Sequence, residues 1–380
     1  MNGAGAAQRP GAAPAVVRII GAGLIGTSLG LALSRGGTRV VLEDPSPTAA
    51  ALARDLGAGE LGTTDDPPSD LVVVAAPPDV AAAVVAQALT RWPDTVVTDV
   101  ASVKESVLDA VTALVGRRRT GQLRRYVGSH PMAGRERSGA VAAQADLFAG
   151  RSWVVCPGPE TDDTAIALVR NVATLAGAAP VVMTPAEHDR AVAVVSHTPQ
   201  VAASLVAGRL RELPEPAVSL SGQGIRDVTR IAASDPLLWT QILTGNAASL
   251  LPVLDALADD LEEVRAALRN LLDESGAGTP RGVLARAVAH GNAGHARIPG
   301  KHGAAPTAYG TVVVIVPDEP GSLGRLFQDM GEAGINLEDL HLEHGIGQPV
   351  GLAEIAVLPA VVERLQAVLT AKGWRVHAPG

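Results

Sequence analysis

The sequence predicts an α/β protein in which a doubly wound parallel sheet comes first, an all-helical domain follows, and a C-terminal domain has the element order βαββαβ. Three observations predict this architecture. Nearly continuous apolar runs alternate with helical patterns up to residue 184, strand signals are scarce between residues 186 and 272, and the alternation resumes after residue 309. Strands buried on both faces of a parallel sheet have unbroken apolar runs, and βαββαβ is the order of the split βαβ motif.

Each element of the sheet-forming part follows from an apolar run rich in Val, Ile or Leu and bounded by a turn signal or a helical pattern. The predicted strands are residues 16–20, 39–43, 71–76, 95–99, 152–156 and 180–183. The predicted helices between them are residues 24–35, 79–91, 103–116 and 163–177. Strands that alternate with helices in this way form a parallel sheet that is covered on both faces.

The rest of the chain divides by composition and pattern. Helical patterns cover residues 188–211 and 236–272, and the last strands and helices are residues 311–316, 321–333, 335–343, 350–358, 360–371 and 373–377. The predicted division is a flexible tail at 1–14, a nucleotide-binding domain at 15–184, a helical domain at 185–275, a linker at 276–308 and a C-terminal domain at 309–380. The linker is rich in Gly, Pro and Ala, with one short helical pattern at residues 283–289.

Composition excludes several classes of function. The chain has 380 residues, 47% of them hydrophobic, and a formal net charge of −8, so we expect a packed core and no binding to nucleic acid, which needs clustered positive charge. The single cysteine, Cys156, excludes a disulfide framework and a cysteine-based zinc site. Residues 1–14 lack the regions of a signal peptide, and no unbroken apolar run is long enough to cross a membrane. We therefore expect a cytoplasmic protein that uses no metal and contacts no membrane.

A glycine-rich loop follows the first predicted strand and opens the first predicted helix. It has the spacing G-x-G-x-x-G, in which Gly21 permits a tight turn, Gly23 lets the backbone approach a pyrophosphate, and Gly26 allows close packing of helix and strand. This strand–turn–helix context is what a Rossmann dinucleotide site requires. The cofactor-binding residues predicted in this loop are Gly21, Gly23, Leu24, Ile25 and Gly26.

An acidic residue follows the second predicted strand. Asp44 lies 18 residues beyond the last glycine of the loop, where a carboxylate suits the ribose 2′-hydroxyl of NAD. The following residues, Pro45-Ser46-Pro47, offer no arginine for the 2′-phosphate of NADP. The predicted cofactor is therefore NAD, and a plain glycine turn with a solvated acidic pair is the alternative.

Two histidines and a serine are candidates for chemistry, although each also has a plain structural interpretation. His130 lies in a glycine-flanked segment and could be a turn residue, and His197 could be a core histidine of a helix. Ser102 follows a predicted parallel strand, at whose carboxyl end ligands bind, and could also cap the next helix in a capping box with Glu105. An unperturbed histidine, with a pKa of about 6.5, has the basicity that a general base needs.

Two arginines lie four residues apart in a polar segment. Arg226 and Arg230 would share one face of a helix, where they could simply pair with Asp227 and Asp235. Taken together with a dinucleotide site and a histidine base, however, an arginine pair favours hydride transfer from a carboxylate-bearing substrate.

The polar segments resemble those of one enzyme family. The segments are HPMAG at residues 130–134, VVSHTPQ at 194–200 and GQGIRDVTRIAASDPLLW at 222–239. On these motifs the sequence resembles the prephenate/arogenate dehydrogenases of tyrosine biosynthesis from Val16 to about Val376. Two departures concern the last segment: Gln223 stands where many relatives have glycine, and Arg226 stands where lysine is frequent.

The resemblance implies a role for each matching residue. His130 would take the proton of the ring hydroxyl as hydride leaves for the nicotinamide, and Ser102 would orient His130 and contact the nicotinamide. Arg230 would clamp a substrate carboxylate, and His197 would contact the side-chain end of the substrate. An ionic network that gates the pocket would consist of Glu136, Arg226 and Asp227. Trp239 would lie near the pocket, or equally in the core.

The C-terminal residues resemble an ACT domain. The segment PDEPGSL at 317–323 and the GIN turn at 334–336 match the two loops that commonly form an amino-acid effector site in that module. The implied effector residues are Asp318, Gly321, Ser322, Leu323 and Asn336. The implied effector is tyrosine, acting as a feedback inhibitor.

The resemblance implies that the protein converts prephenate and NAD to 4-hydroxyphenylpyruvate, CO2 and NADH, without a metal, as a homodimer. Two alternatives stay open. Arogenate could be the substrate, giving tyrosine directly, although His197 favours prephenate. A non-catalytic amino-acid sensor that binds NAD is disfavoured, because a sensor has no need of the base His130.

Overall fold

The computed structural model describes residues 13–116, 120–134, 139–272, 280–298, 309–344 and 349–377. By its internal contacts the chain divides into two compact units, residues 1–258 and 259–380. Of the predicted tail, residues 1–12 lie outside the described residues. The predicted domain boundaries stay predictions.

The first unit contains an eight-stranded sheet. Its strands are β1 (Val16–Ile20), β2 (Arg39–Glu43), β3 (Glu60–Leu61), β4 (Leu71–Val74), β5 (Val96–Asp99), β6 (Tyr126–Pro131), β7 (Ser152–Pro157) and β8 (Ala179–Val182). The spatial order is β3-β2-β1-β4-β5-β6-β7-β8. The pairs from β3 to β6 are parallel, β7 is antiparallel to β6, and β8 is parallel to β7. The predicted Rossmann-type parallel sheet is thus confirmed from β1 to β6, although β3 and β6 themselves were not predicted.

Helices cover both faces of this sheet. They are α1 (Leu24–Arg35), α2 (Pro47–Asp55), α3 (Pro78–Arg91), α4 (Glu105–Val115) and α5 (Asp163–Leu175). The alternation of buried residues along β4 shows the two faces: Leu71 and Val73 pack in one core with α1 and α5, and Val72 and Val74 pack in another with α3 and α4. A strand that is apolar on both faces has this placement, because successive side chains point to opposite sides.

Helices form the rest of the first unit. They are α6 (Pro185–Val192), α7 (Thr198–Arg209), α8 (Glu215–Val218), α9 (Gln223–Thr229), α10 (Pro236–Gly245) and α11 (Ala247–Leu272), the last of which continues past residue 258. A π-helical turn, Ala193–His197, separates α6 from α7. Pro199 follows this turn, and since proline has no N–H and its ring clashes with the carbonyl four residues earlier, a wider turn there is expected.

The second unit contains α12 (Pro280–His295) and then β9 (Gly310–Pro317), α13 (Ser322–Glu332), β10 (Asp339–His344), β11 (Val350–Val357), α14 (Val362–Ala371) and β12 (Arg375–His377). The four strands form an antiparallel sheet in the order β10-β11-β9-β12. One face of this sheet packs on α13 and α14, with Val314, Leu326, Ile355 and Leu365 in the core. The predicted order βαββαβ is therefore present.

Four local predictions need correction. His130 lies at the end of strand β6, whose polar sequence YVGSHP hid it. Strand β7 is antiparallel to β6, because among the described residues no crossover helix separates them and a parallel neighbour needs one. The predicted helix 236–272 is two helices that meet at Asn246 with a bend of 95°. The predicted linker contains α12, which is more than twice as long as the helical pattern at residues 283–289.

Among the residues that the structure describes, one helical stretch, Pro185–Glu212, is long and apolar enough to cross a membrane by length and composition, and the bent pair α10–α11 passes the same test together. The first stretch carries the buried polar residues His188, Asp189 and His197. The hydrogen bonds of His188 and Asp189 to His130, Lys104 and Glu105 join this stretch to the sheet-forming part of the same unit.

Candidate active site

The glycine loop connects β1 to α1 at the carboxyl edge of the sheet. Gly21 has φ +113°, and a Cβ there would lie 2.3 Å from the carbonyl oxygen of Ala75 at the end of β4. A Cβ on Gly26 would lie 1.9 Å from the carbonyl oxygen of Gly21, whereas a Cβ on Gly23 would meet no protein atom within 4 Å. Gly21 and Gly26 are thus needed for close packing within the chain, while Gly23 faces open space. An open glycine at a helix N-terminus fits a bound pyrophosphate.

Asp44 braces this loop from the end of β2. Its Oδ2 accepts a hydrogen bond of 2.7 Å from the backbone N–H of Ala22, and its Oδ1 accepts one of 2.7 Å from the N–H of Ser46. The carboxylate is therefore fixed beside the glycine loop. The predicted ribose contact stays a prediction.

A buried ion pair holds β5 and β6 together at the same edge. The Lys104 ammonium donates to the Asp99 carboxylate and, over 2.7 Å, to the carbonyl oxygen of Ser129. The Tyr126 hydroxyl donates to the other Asp99 oxygen over 2.8 Å. All four residues are buried, and burial beside Asp99 raises the pKa of Tyr126 well above its usual value. The network fixes the backbone immediately before His130.

His130 is half-buried at the end of β6, and its imidazole starts a chain of hydrogen bonds. Its Nδ1 lies 2.8 Å from Nε2 of His188 on α6, and the two rings meet edge to face at 5.1 Å. Nδ1 of His188 lies 2.7 Å from Oδ1 of Asp189. Since His188 and Asp189 are almost fully buried, the inner part of this chain is shielded from water.

The carboxylate of Asp189 also caps helix α4. Oδ1 accepts from the N–H of Lys104 and Oδ2 accepts from the N–H of Glu105, both over 2.9 Å. The capping box expected from Ser102 and Glu105 is wrong, since α4 begins at Glu105 with no cap from its own side chains. Asp189 supplies the negative charge that a helix N-terminus favours.

The orienting partner of His130 in this structure is His188. Ser102 is half-buried on the turn between β5 and α4. Within the described part of the chain, no hydrogen bond joins its hydroxyl to His130. Its predicted contact with the nicotinamide stays a prediction.

His197, at the end of the π-helical turn, is tied to the same aspartate by another route. The side-chain amide nitrogen of Asn246 lies 3.0 Å from Nδ1 of His197 and donates over 2.8 Å to the backbone carbonyl of Asp189. The indole of Trp239 meets the His197 ring edge to face at 6.0 Å. Trp239 also packs against the core that contains α3 and α4, so the core placement considered for it is observed.

Both histidines are held neutral. Burial, together with the neighbouring His188, Lys104 and His197, keeps the pKa of His130 well below the ordinary histidine value. Burial lowers the pKa of His197 to about 4, against the opposing charge of Asp189. An unperturbed base was expected from the sequence; the structure instead provides an imidazole that is unprotonated at neutral pH and can accept a proton.

The arginine segment packs on α7 and is largely exposed in the single chain. Arg226, Asp227 and Arg230 are all exposed, and Gln223 donates over 2.7 Å to Asp227. Ser234 lies 3.4 Å from the side-chain oxygen of Gln200 on α7, which ties the segment to the helix that follows His197. The predicted gating residue Glu136 lies outside the described residues.

Sequence reasoning missed four residues at this site: Lys104, His188, Asp189 and Asn246. His188 and Asp189 lie in the polar run EHDR at residues 187–190, and two residues of such a run that turn toward the core are a usable signal. Asn246 had no such signal, because its importance comes from the bend between α10 and α11. Across the described ranges, no group of three or more His, Cys, Asp or Glu residues could hold a metal ion.

Comparisons with known proteins agree with this arrangement. Residues 29–182 match the family model described as the prephenate dehydrogenase nucleotide-binding domain, and residues 184–275 match the one described as the prephenate dehydrogenase dimerization domain. The probable prephenate dehydrogenase NovF of Streptomyces niveus is 37% identical, over 95% of this chain and 99% of its own length. The second unit beyond residue 275 lies outside both family models.

Solved structures show the same relationship. Prephenate dehydrogenase from Aquifex aeolicus, in complex with hydroxyphenyl propionate and NAD+, is 28% identical with a TM-score of 0.60, covering 72% of this chain and 98% of that one. Arogenate dehydrogenase from Synechocystis is 25% identical with a TM-score of 0.59, covering 74% and 98%. With the glycine loop and the histidine site in place, and a relative of 37% identity matched almost end to end, this chain belongs to the prephenate dehydrogenase family.

Proposed function

We propose that the protein catalyses the NAD-dependent oxidative decarboxylation of prephenate to 4-hydroxyphenylpyruvate in tyrosine biosynthesis. One observation of the site carries this proposal: His130, neutral and at the end of β6, lies on the same edge of the parallel sheet as the open glycine loop. Family membership and the NAD+ complex of the Aquifex relative support it.

The reaction requires one side chain that can remove a proton from the substrate and return it. NAD, when bound, accepts the hydride from C4 of the substrate ring. His130 removes the proton of the C4 hydroxyl, and the ring then loses its carboxylate as CO2 because the product is aromatic. The electrons of the broken carbon–carbon bond leave a phenolate oxygen at the position of the former hydroxyl, so His130 can return the proton to the same atom.

The other predicted residues keep their proposed roles. Ser102 contacts the nicotinamide, Arg230 binds a substrate carboxylate, and His197 contacts the side-chain end of the substrate. Arg226 and Asp227, with Glu136, form the gating network. Because the protein carries a net negative charge, these arginines supply the local positive charge that a dianionic substrate needs.

Arogenate is the second candidate substrate, and the Synechocystis relative is an arogenate dehydrogenase. The decisive experiment measures steady-state rates with prephenate and with arogenate, each under NAD and under NADP, and identifies the product as 4-hydroxyphenylpyruvate or tyrosine by chromatography. We expect the highest kcat/KM with prephenate and NAD. A higher value with arogenate would reassign the substrate, and no turnover with either would contradict the proposed function.

The place of the cofactor can be tested separately. Gly23→Ala adds a methyl group where the chain itself has no atom within 4 Å, so the fold should persist while NAD binding weakens by about 10-fold or more. Gly208→Ala on α7 is a matched control, since its Cβ also meets nothing. Unchanged NAD affinity in Gly23→Ala would place the pyrophosphate elsewhere.

The C-terminal unit is proposed to be a ferredoxin-like ACT domain that binds tyrosine. Its strand order β10-β11-β9-β12, read from either edge, is that expected of a split βαβ fold. A small open pocket of about 140 Å³ lies at the turn from β9 into α13. Its lining includes the predicted residues Asp318, Gly321, Ser322 and Leu323. Asn336 is exposed and is not among the lining residues.

Tyrosine binding has a matched pair of variants. Gly324 lines the pocket and Gly331 does not, and both are on α13 with open space where a Cβ would be. Gly324→Leu should fill the pocket and abolish the response of the rate to tyrosine, while Gly331→Leu should keep it. If saturating tyrosine changes neither rate nor substrate affinity of the unaltered enzyme, the feedback proposal fails.

A homodimer is also proposed, through the region that matches the dimerization domain. In the single chain this region exposes many large apolar side chains, among them Val195, Leu205, Leu220 and Leu237. Such exposure typically marks an interface. Leu205→Asp should shift the sedimentation mass toward that of a monomer, whereas Val141→Asp, at a similarly exposed site outside this region, should not. A cytoplasmic location is proposed from the character of the relatives.

A further inference from the structure

We infer that Asp189 fixes opposite tautomers in His130 and His197, through His188 on one side and Asn246 on the other. His130 then presents a lone pair at Nε2, and His197 presents an N–H at Nε2. His188, Asp189 and Asn246 are positioning residues in this inference. The inference rests on the proposed function only where it identifies the substrate groups that the two Nε2 atoms would contact.

The first route runs through the Asp189 carboxylate. Both carboxylate oxygens accept backbone N–H groups at the start of α4, so Asp189 acts as an acceptor toward His188 as well. Nδ1 of His188 is therefore the donor, and its Nε2 has a lone pair when the ring is neutral. That lone pair accepts from Nδ1 of His130, which leaves Nε2 of His130 unprotonated.

The second route runs through the Asp189 backbone. The Asn246 amide nitrogen is identified as the donor because it bonds to the carbonyl oxygen of Asp189. Its other N–H points at Nδ1 of His197, so that Nδ1 must be the acceptor. A neutral His197 then carries its proton on Nε2.

The position of Asp189 makes both routes rigid. His188, Asp189 and Asn246 are each at most 3% exposed, so water does not compete for their hydrogen bonds. The start of α4 favours negative charge and holds the carboxylate through the N–H groups of Lys104 and Glu105. A single residue therefore prepares one histidine to take a proton and the other to donate a hydrogen bond.

The direct test is nitrogen-15 NMR of histidine-labelled protein at neutral pH. The resonances of the two rings are assigned by their loss in His130→Asn and in His197→Asn. We expect Nδ1 protonated in His130 and Nε2 protonated in His197. The same tautomer in both rings, or the reverse pair, overturns the inference. This measurement needs no turnover, so it stands even if the protein oxidised neither prephenate nor arogenate.

A pair of variants tests whether the orientation matters for the reaction. His188→Gln keeps an amide at the position of Nε2, whose oxygen can accept from His130, whereas His188→Leu removes the acceptor. We expect His188→Leu to lower kcat by about 10- to 100-fold, the cost of a misplaced base, with KM and NAD affinity within about 2-fold of the unaltered enzyme. His188→Gln should recover most of the rate. Equal losses in both variants, or a change in KM alone, would mean that His188 only supports the fold.

Discussion

The surroundings of His130 and His197 differ although both imidazoles connect to Asp189 and both have a lowered pKa. His130 is reached through a side chain, His188, and has the buried cation Lys104 among its neighbours. His197 is reached through the backbone carbonyl of Asp189 and an amide, and Asp189 is its principal charged neighbour.

The difference teaches that two histidines can have different roles, because the group that contacts Nδ1 determines which ring nitrogen carries the proton. In a neutral ring whose Nδ1 donates, Nε2 has a lone pair that can accept a proton. In a neutral ring whose Nδ1 accepts, Nε2 carries an N–H that can donate a hydrogen bond. The comparison therefore predicts distinct consequences when each histidine, or a neighbour that distinguishes them, is changed.

The largest effect is expected at His130. His130→Asn removes the proton carrier, so kcat should fall by about 10²- to 10⁴-fold. NAD affinity and thermal stability should be retained, because the asparagine amide can still face His188 and the glycine loop is untouched. Steady-state kinetics and calorimetric titration with NAD measure the two quantities. Activity equal to that of the unaltered enzyme would remove His130 from the mechanism.

The sequence predicted the part of this site that depends on local geometry. The glycine loop needs only a strand, a turn and a helix in series, and all three were recognised, with α1 at the predicted bounds Leu24–Arg35. His130 was predicted to be the base although its strand was missed, and that role stays a prediction. The connection from His130 to His188 spans 58 residues, and no local pattern reports which distant side chains a fold brings together.

The antiparallel β7 and the bend at Asn246 were missed for a related reason. Both are determined by the partner against which a segment packs. The intrinsic helix or strand propensity of the segment does not reveal that partner. Asn246 ends a helix because its amide bonds to Asp189 and His197, and those partners are fixed only in the folded chain. The sequence therefore predicted the cofactor loop well and the histidine network poorly.

The next effect concerns Lys104, the buried cation that helps to lower the pKa of His130. Lys104→Met leaves the Asp99 carboxylate buried without its counter-charge, which typically costs about 3–5 kcal/mol of unfolding free energy. Urea denaturation measures this loss. Arg39→Met is the control, because the Arg39–Glu60 pair is exposed at the edge of the same sheet, and such pairs contribute little. Equal losses of unfolding free energy in the two variants would show that the buried Lys104–Asp99 pair stabilises the fold no more than an exposed pair does.

Stability at low pH tests the His197 side. An unfolded histidine takes up a proton near pH 6.5, whereas His197 does so only at about 4, so protons favour the unfolded chain in this window. Stability should be constant above about pH 7 and fall as pH decreases, with His197 accounting for roughly 2 kcal/mol at about pH 5. His130 acts in the same direction, because its pKa is also lowered.

The free energy of unfolding is measured by denaturation at about pH 7 and about pH 5, in the unaltered protein and in two variants. His197→Gln should lose less stability on acidification than the unaltered protein, since a glutamine does not titrate. His290→Gln, at an exposed histidine on α12, should behave as the unaltered protein does. An identical decline in all three proteins would contradict the assignment to His197.

The smallest effect is expected on substrate binding by His197. If its Nε2–H donates one hydrogen bond to the side-chain end of the substrate, His197→Asn removes an interaction between neutral groups, which contributes about 0.5–1.5 kcal/mol. KM should then rise about 2- to 10-fold while kcat changes little, because that bond is present in both the ground state and the transition state. A fall in kcat as large as that of His130→Asn would mean that the two histidines share one role, and the contrast drawn from their opposite Nδ1 partners would not hold.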